Sequence, residues 1–380
     1  MKVKVALVHD YLNEFGGAER VLLALSEMYP QAPIYTAFYK EGSLAHQRFA
    51  GRDIRTSWAQ KIPGFASRLH SPLRFLAPLI WESFDFDEYD VVISSASWFI
   101  TKGIITRPET VHICYCHTPP RYLYGYPTSI EWQKYWPVRM YAKIINVGLR
   151  QYDYLAAQRV DEFVANSENT KARIAKFYRR QARVIYPPVA IADAGKVEKG
   201  DYFLVISRIV GGKGLELAVR AANQLRVPLK VVGVPAGWSN EMNKLVEQAG
   251  GTVEFLGYVD DEELARLYAG ARAFLALASD EDFGITPVEA MMAGTPVVAF
   301  AGGGYTESVV QGKTGVLFAN WELSSVVKAM QLVEKMKIKP EDCKKQAAKF
   351  GKVRFVKEME SLVAETVKKQ KQKVKNARTT

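Results

Sequence analysis

The sequence predicts an α/β protein made of two domains in tandem, each a parallel sheet wound on both faces. Three observations carry that expectation. Short β-branched runs alternate with longer segments of helical spacing. The alternation starts afresh after Pro187 and Pro188. With 380 residues, 48% of them apolar, the chain exceeds one ordinary core and can fill two.

In the first half, VKVALVH (3–9), PIYTAF (33–38), VVISS (91–95), VHICYC (111–116), EFVAN (162–166) and RVIYP (183–187) read as buried strands. In the second, the strands are YFLVIS (202–207), LKVVG (229–233), VEFLG (253–257), AFLAL (273–277) and PVVAF (296–300), and the helices between them include LELAVRAANQL, DEELARLYAG and PVEAMMAG. The expected domains are 1–187 and 188–352, with a hinge near 187–200. A C-terminal helix and basic tail, 353–380, is expected to cross back to the first domain.

Composition excludes several classes. No apolar run reaches the roughly 18 to 20 residues that span a bilayer, and MKVKVALVHD enters a strand pattern with no apolar signal core. A cytoplasmic protein is expected. Cys114, Cys116 and Cys343 give no disulfide or zinc spacing. The net charge of +11 and pI of about 9.3 raise nucleic acid and anionic membrane as partners. Much of the excess sits in the tail KKQKQKVKNARTT, and no basic-aromatic recognition motif is present, so nucleic acid is not expected. The stretch 58–81 is more informative. Lys61, Arg68 and Arg74 interleave there with Trp58, Phe65, Phe75 and Trp81, which suits either a surface helix in a lipid interface or a helix pair packed on a core.

Open sheets of this type bind ligands at the carboxyl ends of their strands. If the two sets of ends face each other, the site is the cleft between the domains. After the first strand, Gly16 and Gly17 precede a helix, a turn that is either structural or an anion cradle. After the first strand of the second domain, ISRIVGGKG places Arg208 and Lys213 around Gly211 and Gly212, which suits a diphosphate. Neither loop is a Walker or GxGxxG pattern, which disfavours P-loop phosphoryl transfer and dinucleotide oxidoreduction.

The third loop is DEDFGITPVEAMMAGTP, 280–296. Thr286 as N-cap, Pro287 at the first helical position and Glu289 three residues on make the T-x-x-E of a capping box, so Glu289 has a reading that needs no ligand. That pattern leaves Glu281 unaccounted for, and a carboxylate can accept hydrogen bonds from sugar hydroxyls. Asp280 and Asp282 have no separate assignment. A fourth loop, Gly302 to Gly304 followed by Glu307, offers backbone amides. The four loops together point to a nucleotide diphosphate carrying a sugar.

ISRIVGGKG, FLGYVDDEELARLYAGA and EDFGITPVEAMMAGTPVVAFAGGGYTE resemble the C-terminal domain of retaining glycosyltransferases of family 4, of GT-B fold: two Rossmann-like domains facing across a cleft. HDYLNEFGGAERV and CYCHTPPRYLYGY are similar to the N-terminal domain of bacterial members that build O-antigen and related polysaccharides. The resemblance implies that Arg208 and Lys213 hold the donor diphosphate, Glu289 the ribose and Glu281 the transferred sugar. It places amides of Gly16 and Gly17 and of the Phe283, Gly284, Ile285 and Thr286 turn on sugar and phosphate, and Val259 beside the base. His117 matches the histidine that approaches the donor sugar; by itself it reads as a structural hydrogen-bonder. No metal or other cofactor is implied. Transfer of mannose from GDP-mannose to a lipid-linked glycan at the inner membrane face is the expected activity. A UDP-sugar transferase and a sugar-nucleotide epimerase of the same fold are the alternatives. The aromatic segment 118–136 reads as an acceptor lid or as a packed loop.

Overall fold

A computed structural model of the protein describes residues 3–126, 128, 135–235 and 241–377. Among these, 3–126, 135–188 and 352–377 belong to one compact unit, and 189–351 fall in a second.

The first unit runs β1 (Val5–His9), α1 (Gly17–Met28), β2 (Ile34–Thr36), α2 (Leu44–Arg48), β3 (Ile54–Thr56), α3 (Ala77–Trp81), β4 (Val91–Ala96) and β5 (Val111–Cys116). It continues with α4 (Trp136–Arg159), β6 (Glu162–Ala165), α5 (Glu168–Tyr178) and β7 (Arg183–Val184). The second unit contains β8 (Phe203–Ile206), α6 (Leu215–Leu225), β9 (Leu229–Val232), α7 (Glu241–Gln248), β10 (Val253–Gly257), α8 (Asp261–Gly270) and β11 (Ala273–Ala276). After these come α9 (Ile285–Met292), β12 (Val297–Phe300), α10 (Tyr305–Ser308), β13 (Gly315–Phe318), α11 (Leu323–Lys335) and α12 (Pro340–Ala347). The last helix, α13 (Lys352–Ala377), returns to the first unit.

Both sheets are parallel. Their orders are β3-β2-β1-β4-β5-β6-β7 and β10-β9-β8-β11-β12-β13, so each reverses direction once, beside β1 and beside β8. Side chains alternate across a strand. In β1, Val5 and Leu7 therefore join a core with Leu22 and Leu25 of α1 and with Phe355, Met359 and Leu362 of α13. Ala6 and Val8 face the other way, onto Phe38, Phe65 and Trp81. The second sheet buries Phe203, Val205, Val231 and Leu275 against α6 and α11. The expected strands all form, most of them trimmed by a residue or more at one end or both, while β4 runs one residue longer. The two outer strands missing from the expectation, β3 and β13, are short, and each pairs on one side only.

Two sequence expectations need correction. Residues 58–81 are neither a long surface helix nor a helix pair. Pro63, Pro72, Pro78 and Gly64, which has a φ of 77°, divide the stretch into single turns ending in the five-residue α3. Phe65 and Trp81 are buried, and Arg74 is held by Asn146 at 3.1 Å and packs over the rings of Tyr122 and Tyr141. The second correction concerns α9. It begins at Ile285 with Gly284 as N-cap in the left-handed region, φ 87°, so Thr286 and Pro287 already lie inside the helix and the capping box does not form.

Part of the aromatic segment 118–136, residues 127 and 129–134, lies outside the described residues, as do 378–380 of the basic tail. Of the remainder, Tyr122 is buried, and Tyr124 stacks on Phe177 at 4.2 Å between centroids while donating to Asp153 at 2.7 Å. Those two residues pack as a structural loop. The cysteines are buried free thiols, and burial pushes Cys114 up to about 11. Among the described residues, no helix is long and apolar enough to cross a membrane.

Candidate active site

In the second unit, three loops at the carboxyl ends of β8, β11 and β12 are fastened to one another through glycines. After β8 the chain runs past exposed Arg208 into Gly211–Gly214, where Gly212 and Gly214 have φ of 78° and 74°. A Cβ on Gly214 would stand on the Leu277 carbonyl, and the Gly212 carbonyl accepts from the Ser279 amide at 3.3 Å. The loop after β12 is fitted just as closely. The Gly304 amide donates to the Glu281 carbonyl at 3.0 Å, and a Cβ on Gly303 or Gly304 would strike the backbone of Glu281 or of Phe283. These glycines serve loop-on-loop packing first, whereas the sequence reads Gly302 to Gly304 as offering backbone amides to a ligand.

That packing sets Lys213 against Glu281, Nζ to Oε2 at 2.8 Å, with both side chains still reached by solvent. The buried Tyr305 phenol faces the same carboxylate. Burial, and then the Glu281 charge, push its titration well above the ordinary value. The structure thus brings together a cation proposed for phosphate and an acid proposed for sugar hydroxyls. Arg208 lies on the same β8 loop. Ile285 and Thr286 occupy the first turn of α9, where amides lack partners within the helix.

Other expected residues are placed differently. Phe283 is 2% exposed and packs on Phe350 with centroids 5.5 Å apart, so its side chain is core and only its backbone can meet a ligand. Glu289 is also 2% exposed, and its Oε2 accepts from the Tyr268 hydroxyl at 2.7 Å. Val259 follows edge strand β10, with β9 between that strand and β8. Sequence reading missed Tyr268 and Tyr305, because nothing in their spacing pairs them with glutamates 21 and 24 positions away.

In the first unit, the ends of β1, β4 and β5 meet. Gly16 is the N-cap of α1 and Gly17 its first residue, and the Gly16 amide donates to Glu19 Oε2 at 2.8 Å. Glu19 Oε1 lies 3.3 Å from His9 Nε2, His9 Nδ1 lies 3.0 Å from Ser95 Oγ, and Ser95 Oγ lies 2.8 Å from His117 Nε2. All four side chains are buried. Burial, then the neighbouring His9, push His117 down to about 3, so its imidazole is neutral. Burial raises Glu19, but the His9 hydrogen bond and charge and the Gly16 amide outweigh it and leave the carboxyl below its ordinary value. Beside this chain Asp10 gathers the loop after β4, accepting from the amides of Ser97 at 3.0 Å and Trp98 at 2.5 Å and from the Thr101 hydroxyl. His9, Asp10, Glu19 and Ser95 all escaped sequence reading, although a His-Asp pair at a strand's carboxyl end was a visible signal.

Comparison with known proteins gives the class. A model described as Glycosyltransferase Family 4 matches residues 15–193, and one described as Glycosyl transferases group 1 matches 189–350. The protein is a glycosyltransferase of GT-B fold class. It belongs to family 4, a placement its relatives support. The mouse alpha-1,3/1,6-mannosyltransferase ALG2 is 27% identical over 346 residues, 80% of this chain and 81% of its own. The Escherichia coli O-antigen chain mannosyltransferase B is 42% identical over 78 residues, 20% of each chain. Among solved structures, Anabaena Alr3699/HepE in complex with UDP superposes with a TM-score of 0.70 at 18% identity, covering 95% of this chain and all of that one.

Proposed function

We propose that the protein transfers mannose from GDP-mannose to a hydroxyl of a lipid-linked glycan, with retention of anomeric configuration. The observation that carries the sugar is the likeness to a mannosyltransferase over four fifths of both chains. Arg208 and Lys213 neutralise the departing diphosphate, Glu281 accepts from hydroxyls of the mannose, and first-turn amides of α9 add dipolar stabilisation. Lys213 and Glu281 pair with each other, and the donor offers each a further partner. Both cations belong to the protein, so the reading uses no metal. A thermal-shift panel tests the donor. GDP and GDP-mannose at about a hundred times their dissociation constant are expected to stabilise by about 2.7 kcal/mol, with UDP, ADP and NAD inert at the same concentration. Stabilisation by UDP-sugars alone overturns the GDP assignment, and consumption of donor without an acceptor points to the epimerase.

The acceptor's lipid gives the first unit a reason to meet a membrane. Trp58, Leu69, Phe75 and Leu79 are exposed, as are Trp136, Met140 and Ile144 of α4. Arg74 ties the two segments through Asn146 and Tyr141, and exposed Lys61, Arg68, Arg139 and Lys143 lie among them. Apolar side chains interleaved with cations fit the interface of an anionic bilayer. The protein is expected to float with anionic vesicles at low salt and to be released as salt rises. Failure to float at low salt sinks the membrane assignment without touching the donor.

A further inference from the structure

The first sheet reverses its strand order between β1 and β4, and in open parallel sheets a ligand sits in the crevice that such a reversal opens. Two half-buried aromatic residues flank it here. Tyr11 follows β1 and stacks on buried Phe38 at 5.2 Å, and Trp98 follows β4 and stacks on buried Phe99 at 5.1 Å. His70 completes a triangle, its ring 6.0 Å from Tyr11 and 5.9 Å from Trp98, while Tyr11 and Trp98 stand 6.1 Å apart. The Asn13 side-chain amide holds the turn that leads to His70, donating to the Ala66 carbonyl at 2.6 Å.

The segment that presents Trp98 is strained. Ile100, 1% exposed, is left-handed with a φ of 59°, a conformation that a β-branched residue rarely adopts, and Asp10 holds the chain on both sides of it through the Trp98 amide and the Thr101 hydroxyl. Strain of this kind persists where the surroundings over-determine it, and it concentrates at ligand sites. His70 supplies the polar group. Its Nδ1 lies 3.2 Å from the Phe65 carbonyl, which only accepts, so Nδ1 carries a proton. Burial outweighs that carbonyl and holds His70 below its ordinary value, which leaves the ring neutral at mildly alkaline pH with a lone pair on Nε2. Among the described residues nothing hydrogen-bonds to Nε2.

We propose that Tyr11, His70 and Trp98 form the wall on which the terminal sugar of the acceptor stacks, with His70 Nε2 accepting from one of its hydroxyls. A pyranose has an apolar C–H face and a rim of hydroxyl donors, and half-buried ring surface beside one acceptor nitrogen matches both. His70 follows exposed Leu69 in the stretch assigned to the membrane, so a sugar on the wall lies beside the surface that takes its lipid. The inference rests on the reading of the acceptor as a glycan, and not on which nucleotide the donor carries.

Indole 1H–15N spectra of the full-length protein read the wall directly, with the Trp98 resonance assigned by its absence in Trp98→Phe. At mildly alkaline pH the probes are the methyl glycosides of mannose, glucose, galactose and N-acetylglucosamine, and the control is glycerol, which has hydroxyls but no ring face. At least one glycoside is expected to move the Trp98 resonance saturably, and glycerol to leave it in place. His70→Phe, which keeps a ring and removes the nitrogen, is expected to weaken that glycoside about fivefold, as for one neutral hydrogen bond. Saturating GDP-mannose is expected to change the glycoside's affinity by no more than about twofold, as for separate sites. No response to any glycoside, an equal response to glycerol, or unchanged affinity in His70→Phe overturns the wall. Displacement of the glycoside by GDP-mannose overturns the acceptor assignment and gives the wall to the donor sugar. A thermal-shift preference for another nucleotide leaves the glycoside titration as it stands, so the donor reading and the wall fail separately.

Discussion

Glu281→Ala is expected to abolish sugar transfer while the protein stays folded and binds nucleotide as well as before. The fold is spared because the loop is held by its backbone. The Gly304 amide donates to the Glu281 carbonyl, which alanine retains, and Gly303 still lies flat against it. The side chain's own contribution is a partly exposed pair with Lys213, worth about 0 to 1 kcal/mol, and a contact with the buried Tyr305 phenol, whose loss adds about 1 to 3 kcal/mol. Nucleotide affinity has reason to hold, since Lys213 keeps its charge for the diphosphate. Transfer has no such reserve. A carboxylate fixed on sugar hydroxyls is preorganised for charge that develops as the diphosphate departs, and removing one such group costs roughly 10² to 10³ in kcat. Glu281→Gln keeps the shape and loses the charge, so it is expected between the two. Product formation under saturating donor and calorimetric titration with GDP check the pair of outcomes. Undiminished turnover in Glu281→Ala removes the residue from the sugar site, and weakened GDP binding with normal turnover reassigns it to the nucleotide.

The pairing on which that expectation rests could not be read along the chain. Lys213 and Glu281 lie 68 residues apart, and they meet because β8 and β11 are neighbours where the sheet reverses. Strand periodicity identifies members of a sheet but not their order. The same limit hid His9, Ser95 and His117, which come together only because β1, β4 and β5 are adjacent. Local patterns fared better. LELAVRAANQL and DEELARLYAG are helices over the residues expected, because their apolar faces and punctuation lie within one segment. Where two local signals competed, the backbone decided. Thr286 offered an N-cap hydroxyl, but Gly284 could take the left-handed conformation that starts the helix two residues earlier. The glycines were visible from the outset, yet their neighbours were not. Gly214 meets Leu277, and Gly303 and Gly304 meet Glu281 and Phe283, contacts made between loops that follow different strands.

With no capping box, Glu289 is expected to matter for stability through Tyr268. Its carboxylate is buried on α9 and accepts the hydroxyl of a fully buried tyrosine on α8. Glu289→Ala takes that acceptor away from a buried hydroxyl, and losing one partner of a buried hydrogen bond costs about 1 to 3 kcal/mol. Tyr268→Phe does the complementary damage, since a buried carboxylate loses one of its partners. The double variant removes both ends at once. It is therefore expected to be less destabilised than the sum of the singles, with a coupling in the range of about 0.5 to 3 kcal/mol that denaturant titration can measure. A cap role predicts no such coupling, because the backbone amide of a cap is indifferent to Tyr268. The proposed contact with the ribose adds a separate outcome. Glu289→Gln can still accept from Tyr268 and stays close to wild type in stability, but it gives ribose hydroxyls a weaker, uncharged acceptor. Its GDP affinity is expected to drop several-fold, consistent with hydrogen bonds to charged groups contributing roughly 1.5 to 3 kcal/mol against about 1 for neutral ones. Unchanged GDP affinity in a stable Glu289→Gln protein would leave Glu289 as a purely structural partner of Tyr268, with the ribose held by other groups.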